Sequence, residues 1–273
     1  MAVTMADISK LRTMTGAGMM DCKNALNEAE GNFDKAIEII RKKGQAIAAK
    51  RSDRQASEGC VLSASNGEFA AVVAIKCETD FVAQNADFIA LTQSILDAAM
   101  ANKIADKEAL LALEIDGRSI ADLITDRSGI TGEKMELGFY EVANGAATVA
   151  YIHPGNKLAT VVAFNEALDA QVAREVAMQV AAMNPIAVNR AEVPANIIAT
   201  ELEVGREKAR QEGKPEAMLD KIAEGRLNKF YKESTLLEQD FIKDAKVSVQ
   251  QYLKQVSASL TATAFKRVTL NEE

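Results

Sequence analysis

Tryptophan is absent from this 273-residue chain, histidine occurs once, at His153, and aromatic side chains are sparse. One histidine excludes the His cluster that commonly holds a catalytic metal, so no metal site is expected. Cys22, Cys60 and Cys77 are an odd number without zinc-like spacing. The N-terminus shows no secretory pattern, and both features suit a reduced, cytoplasmic setting. Counting leaves a Cys–His pair open, but neither Cys22 nor Cys77 sits in a family-type nucleophile motif. No apolar run is long enough to span a bilayer, and no membrane partner is expected.

Excess positive charge is missing too. The net charge is -7, with 32 Lys and Arg against 39 Asp and Glu. That balance argues against broad binding to a phosphate backbone, so direct nucleic-acid binding is not expected. Arg41, Lys42, Lys43, Lys50, Arg51 and Arg54 form one local basic segment. Its plainest reading is a solvated linker after a helix whose C-terminus attracts cations. The stretch "TGAGMMDCK" has glycines but lacks the Gly-Lys-Ser/Thr ending of a phosphate loop, and it follows a helix rather than a strand. It reads as a helix-breaking turn, and no cofactor is expected.

What remains is an ordinary globular composition, 48% hydrophobic and 26% charged. Helical periodicity places Ile8 with Leu11, then Met19, Cys22, Leu26 and Ala29, then Phe33, Ala36, Ile37 and Ile40. Breaks at Gly16–Gly18 and Gly31, with Asn32 as a cap, make these a bundle of three short helices closing at Gly44. A linker is expected over 45–57. "GCVLSAS" and "EFAAVVAIKC" flank Asn66-Gly67, and "KMELGFYEVA" and "AATVAYIH" flank Asn144-Gly145. Both pairs predict two-residue hairpins. Helices follow at Phe88–Leu96 and at "DAQVAREVAMQVAAM". Residues 56–140 and 141–185 therefore read as two related halves of an α+β core with antiparallel sheets. Over 195–233, Ile198, Leu202, Gly205 and Ala209 face Met218, Ile222, Gly225 and Lys229 across the turn "EGKP". This predicts an antiparallel helical hairpin with a narrow seam. Such hairpins stay in solvent or pair between subunits, so a homodimer through it is one expected outcome. A final helix, "VSVQQYLKQV", and strand, "ASLTATAFKRVTL", return to the second half. The expected division is 1–52, 53–140, 141–192 with 236–273, and 193–235.

One stretch resists a purely structural account. In "CETDFVAQN" a buried strand ends in Glu78, Thr79 and Asp80, then presents Phe81 and Val82. Phe81 either folds back on the core at a strand–helix corner or projects as a tip into another molecule. Glu78 and Asp80 would point to opposite faces of a continuing strand, a poor arrangement for acid–base chemistry. No enzyme site is visible.

Together, "LRTMTGAGMMDCKNAL" at 11–26 and "CETDFVAQN" resemble the elongation factor Ts family, which releases GDP from elongation factor Tu. The order of modules also matches, so the resemblance covers essentially the whole chain. It implies an N-terminal UBA-like bundle and a coiled-coil hairpin, and a partner, elongation factor Tu, bound both with GDP and without nucleotide. Thr79, Asp80, Phe81 and Val82 match the motif that dislodges magnesium from the partner's nucleotide site. Leu11, Arg12, Met19 and Met20 match the patch that docks on its GTPase domain. His153, on "YIHPGN", stands where relatives place a histidine against another partner domain. Some relatives carry a further C-terminal helix after the last strand, which this sequence does not show. An alternative of another class is a ribosome-associated or ubiquitin-like-binding adaptor using the three-helix bundle.

Overall fold

The computed structural model describes residues 3–271, with helices and antiparallel sheets in one α+β chain. Helix α1 (Met5–Thr15) starts from a reciprocal cap in which the Thr4 side chain accepts from the Asp7 amide and Asp7 accepts from Thr4. It ends where Gly16 turns left-handed at φ 71°. Gly18 opens α2 (Met19–Glu28), and the Asn32 side chain caps α3 (Phe33–Lys50). Ile8, Leu11, Cys22, Ala25, Leu26 and Ala36 form the buried centre of this bundle.

Helix α3 corrects one expectation. It does not stop at Gly44 but continues to Lys50, so the first six residues of the anticipated linker are helix. The reason is a close crossing. Gly44 lies against Gly129, where a Cβ on Gly129 would fall 2.2 Å from the Gly44 Cα. Glycine is kept inside the helix by contact, despite its unfavourable propensity.

Next come β1 (Glu58–Ser65) and β2 (Phe69–Cys77), the latter buried at nearly every position. Helix α4 (Asp80–Ala83) leads into α5 (Ala86–Asn102), followed by α6 (Lys107–Ala112) and the small ladder β3 (Glu114–Ile115) and β4 (Arg118–Ser119). Helix α7 (Ile120–Thr131), which carries Gly129, precedes β5 (Glu136–Asn144). The first sheet has the order β1-β2-β5.

Strands β6 (Ala147–Ile152) and β7 (Leu158–Phe164) turn about Gly155 and Asn156, both left-handed. Helix α8 (Ala170–Met183) covers them, and α9 (Ala195–Gln211) pairs with α10 (Leu219–Ser234). The chain then forms β8 (Asp240–Phe241), β9 (Asp244–Ser248), α11 (Val249–Val256) and β10 (Ala262–Thr269). The second sheet runs β10-β7-β6, antiparallel, with Val162 opposite both Val149 and Phe265. Val176, Val180, Leu236, Leu253 and Leu260 complete its core.

Two more expectations change. Asn144-Gly145 is not a hairpin turn, because β5 joins the first sheet while β6 pairs with β7. Neither residue is left-handed, as the tight hairpin turn would need. Gly145 is there for contact, since a Cβ would fall 2.8 Å from the Phe164 carbonyl oxygen. In the helical pair, α9 buries Gly205 and Ala209 as expected, but α10 buries Leu219 and Ala223. Met218 and Gly225 are exposed, so the returning register is shifted by one residue or more. A Cβ on Gly205 would meet Ala223 Cα at 3.0 Å, and this small-on-small contact sets the register.

The chain divides into two compact units. One comprises the chain up to Leu62, Val73–Glu141 and a short piece from Leu270. The other comprises Ser63–Val72 and Val142–Thr269.

Candidate functional site

The end of β2 is built to present a tip. Thr79 is extended, at φ -124° and ψ 155°, and its hydroxyl accepts from the Val82 amide as the cap of α4. The one-turn helix ends at Gln84, and the Asn85 side chain immediately caps α5 by accepting from the amides of Asp87 and Phe88. Arg127 donates to Asn85 Oδ1 at 2.9 Å and pairs with Asp87. This puts two helix starts back to back within a few residues. Ala83 and Phe88 turn inwards, while Phe81 is 84% exposed. Of the two readings open for Phe81, the structure adopts the projecting one. Asp80 is also exposed, and Val82 is half-buried.

Beneath the tip lies a polar base that sequence reading missed. The Glu133 carboxylate accepts from the amides of Glu78 and Thr79, both at 3.1 Å, and from the Thr79 hydroxyl at 2.6 Å. The Glu78 side chain faces a different set of donors. It accepts from the Lys134 amide at 2.6 Å, from Arg51 at 3.3 Å and from Arg54 at 3.2 Å. The Lys134 amide first, then Arg54 and Arg51, hold the Glu78 carboxyl below its ordinary range, so it stays ionised at neutral pH. Arg51 and Arg54 are therefore more than a solvated linker. They tie the end of α3 to the residue before the tip.

The Cys77 thiol donates to the Thr79 carbonyl at 3.3 Å. Burial, with the nearby Glu133 and Glu58 carboxylates, pushes its pKa up to about 12. A thiol so strongly neutral is structural rather than nucleophilic. A cavity of about 640 Å³ in the same unit is lined by Met14, Ile40, Asp126, Arg127 and Ile130, and none of Thr79–Val82 lines it. The tip is an exposed projection and not part of a cavity.

The remaining expected residues are distributed less simply. Arg12 and Met20 are exposed, Met20 at 64%. Met19 is half-buried against the bundle core, as adjacent helical positions on different faces require. Leu11 is fully buried. A side chain so enclosed cannot itself touch a partner. Met5 and Met14 on α1 are exposed as well, though neither was among the expected docking residues. Thr79–Val82 and these bundle residues belong to one unit, and His153 to the other. His153 is exposed on its turn, with Nδ1 3.0 Å from the Tyr151 hydroxyl.

The model of the family described as Elongation factor TS matches residues 78–272, well over half the chain. A curated Elongation factor Ts from Porphyromonas gingivalis is 64% identical over the full length of both chains. The chain belongs to the elongation factor Ts family. Elongation factor Ts proteins from Azobacteroides pseudotrichonymphae and Bacteroides fragilis are 57% and 49% identical, again over all of both chains. As a family member the protein is a nucleotide exchange factor for elongation factor Tu in translation elongation. The adaptor alternative finds no support in these matches.

Proposed function

We propose that exchange is carried out by the Thr79–Val82 tip, which acts as a wedge in the partner's nucleotide site while the N-terminal bundle holds the partner. The observation that carries this reading is the 84% exposure of Phe81 on a base fixed by hydrogen bonds. An exposed phenylalanine on a rigid corner can fill an apolar slot between partner helices. The displaced helices would then lose their hold on magnesium and phosphate. Asp80 adds a negative charge near a site that already holds an anionic nucleotide. Nothing covalent is required, and the protein acts catalytically through binding alone.

In this reading the modules divide the work. Residues 1–52, a UBA-like bundle, dock through Arg12 and Met20, with Met19 at the edge and Leu11 beneath. Residues 53–140 carry the tip. Residues 141–192 with 236–273 present His153 to a second partner domain. Residues 193–235 form a coiled-coil hairpin whose exposed face is available for pairing with a second copy of the chain. The protein works in the cytoplasm on both GDP-bound and nucleotide-free elongation factor Tu, without metal, cofactor or direct nucleic-acid contact. The deciding experiment measures the off-rate of labelled GDP from elongation factor Tu with and without this protein. A strong acceleration is expected, and an unchanged off-rate would refute the proposal.

A further inference from the structure

We propose that Glu133 is a positioning residue for nucleotide exchange, whose carboxylate fixes the direction in which the Thr79–Val82 tip points. The inference rests on the reading of that tip as the working element. Three donors converge on this one side chain: the amides of Glu78 and Thr79 on Oε2, and the Thr79 hydroxyl on Oε1. The two amides are those of the residue just after β2 and of the cap of α4, so the carboxylate grips the chain where strand gives way to helix. Because the Thr79 hydroxyl donates to Glu133, its lone pairs stay free to accept the Val82 amide. Glu133 thus also orients the cap that builds the helical turn bearing Phe81.

Glu133 is itself held. Gly132 ends α7 in the left-handed conformation at φ 74°, which reverses the chain. The Glu133 amide then donates to Thr131 Oγ1 at 3.3 Å, and the Ser128 hydroxyl donates to the Glu133 carbonyl at 2.5 Å. The carboxylate is aimed from a fixed backbone. Charged acceptors make the stronger hydrogen bonds, and one that accepts from consecutive amides restrains the peptide plane between them. A wedge that must be ordered during binding loses part of its contact energy to that ordering. A wedge already aimed does not.

The test compares Glu133→Ala, Glu133→Gln and Phe81→Ala with the parent protein. Each variant is melted alone, and amide hydrogen exchange at Glu78 and Thr79 is followed in the free protein. Stimulated release of labelled GDP from elongation factor Tu is then titrated with each variant to separate the limiting rate from the half-saturating concentration. For Glu133→Ala we expect faster exchange at the two amides and a limiting rate about tenfold lower, equivalent to ~1.4 kcal/mol of barrier. The half-saturating concentration should stay within about twofold, because docking lies on the bundle, whereas a merely unfolded fraction would scale the apparent concentration. Glu133→Gln keeps one acceptor oxygen and should fall between the two.

Loss of release in Phe81→Ala with wild-type limiting rates in both Glu133 variants would overturn the positioning role and leave the wedge standing. Normal release by Phe81→Ala would remove the wedge reading, and the positioning role with it. If Glu133→Ala does not fold, Glu133→Gln decides: faster exchange at Glu78 and Thr79 with an unchanged limiting rate would again reject the proposal.

Discussion

Replacing Phe81 by alanine separates a working tip from a packing residue, and the structure sets the size of each effect. With 84% of the side chain already in water, its removal takes little from the folded state. Exposed substitutions of this kind stay within about 0.5 kcal/mol, so melting should be unchanged to within a few degrees. The partner complex is different. A phenylalanine buries at least ~150 Å² when enclosed, and at ~25 cal/mol per Å² that corresponds to roughly 4 kcal/mol of transfer free energy. Interfaces realise only part of such a figure, and anchoring aromatics lose about 2 kcal/mol or more on truncation to alanine. If all of that is felt in the transition state for GDP release, stimulation falls roughly thirtyfold. Asp80→Ala, at an exposed position, should cost less, and its loss should vary with magnesium concentration because ions screen the charge. The assay is stopped-flow release of labelled GDP from elongation factor Tu, paired with melting of each variant alone. A Phe81→Ala protein that melts and exchanges like the parent would refute the wedge.

Gly129→Ala should destabilise the protein by about 1–3 kcal/mol despite alanine's better helix propensity, because no rotamer relieves a Cβ placed 2.2 Å from the Gly44 Cα. A higher melting temperature for that variant would show that the helices do not cross so closely. Glu175 accepts from Lys243, Tyr252 and Gln171, which hold its pKa at about 2, so it stabilises the fold above the ordinary carboxylate pKa near 4.5 and loses that contribution as pH falls towards 2. The shift corresponds to up to about 3 kcal/mol; Glu175→Gln should therefore melt well below the parent at pH 7 and no longer do so near pH 2, and a gap that persists at low pH would contradict the assignment. Replacing 195–233 by a short linker should leave the remainder folded, since the residues α9 and α10 bury, Gly205, Ala209, Leu219 and Ala223, are few and all but Leu219 small; loss of the cooperative melt would show the hairpin to be integral.

The legible parts of this chain were those where local chemistry decides the outcome. Asn32 is a cap whose side chain satisfies an amide three residues away, and such a signal can be read directly. The direction of Phe81 was not legible: the sequence left it either folded back or projecting, and only the structure, with the ring 84% exposed, chooses between them. The missed features depend on partners distant in sequence. Gly44 looks like a helix end until Gly129 is brought against it, and Asn144-Gly145 looks like a hairpin until β5 and β6 join different strands. Glu133 gave no signal beyond following Gly132, since its donors lie more than fifty residues earlier. The α10 register failed for a related reason. Spacing admits several seams, and the choice is made by Gly205 meeting Ala223.

Exchange by a wedge alone would have an energetic limit, and on the reading proposed above that limit is why a tip alone would not suffice. A contact of about 2 kcal/mol changes nucleotide retention by roughly thirtyfold, and any larger effect needs further differential contacts with the nucleotide-free partner. Coupling is reciprocal: whatever weakens GDP on the partner must be weakened to the same degree by GDP. A protein whose contacts were all made equally well with and without GDP would bind and accelerate nothing. Arg51 and Arg54, which follow α3 and grip Glu78 beside the tip, join the bundle proposed to dock to the element proposed to act as the wedge. Docking energy gained on the bundle can then be spent at Phe81 only if that joint is stiff. Glu78, ionised and pinned by the Lys134 amide, makes it so.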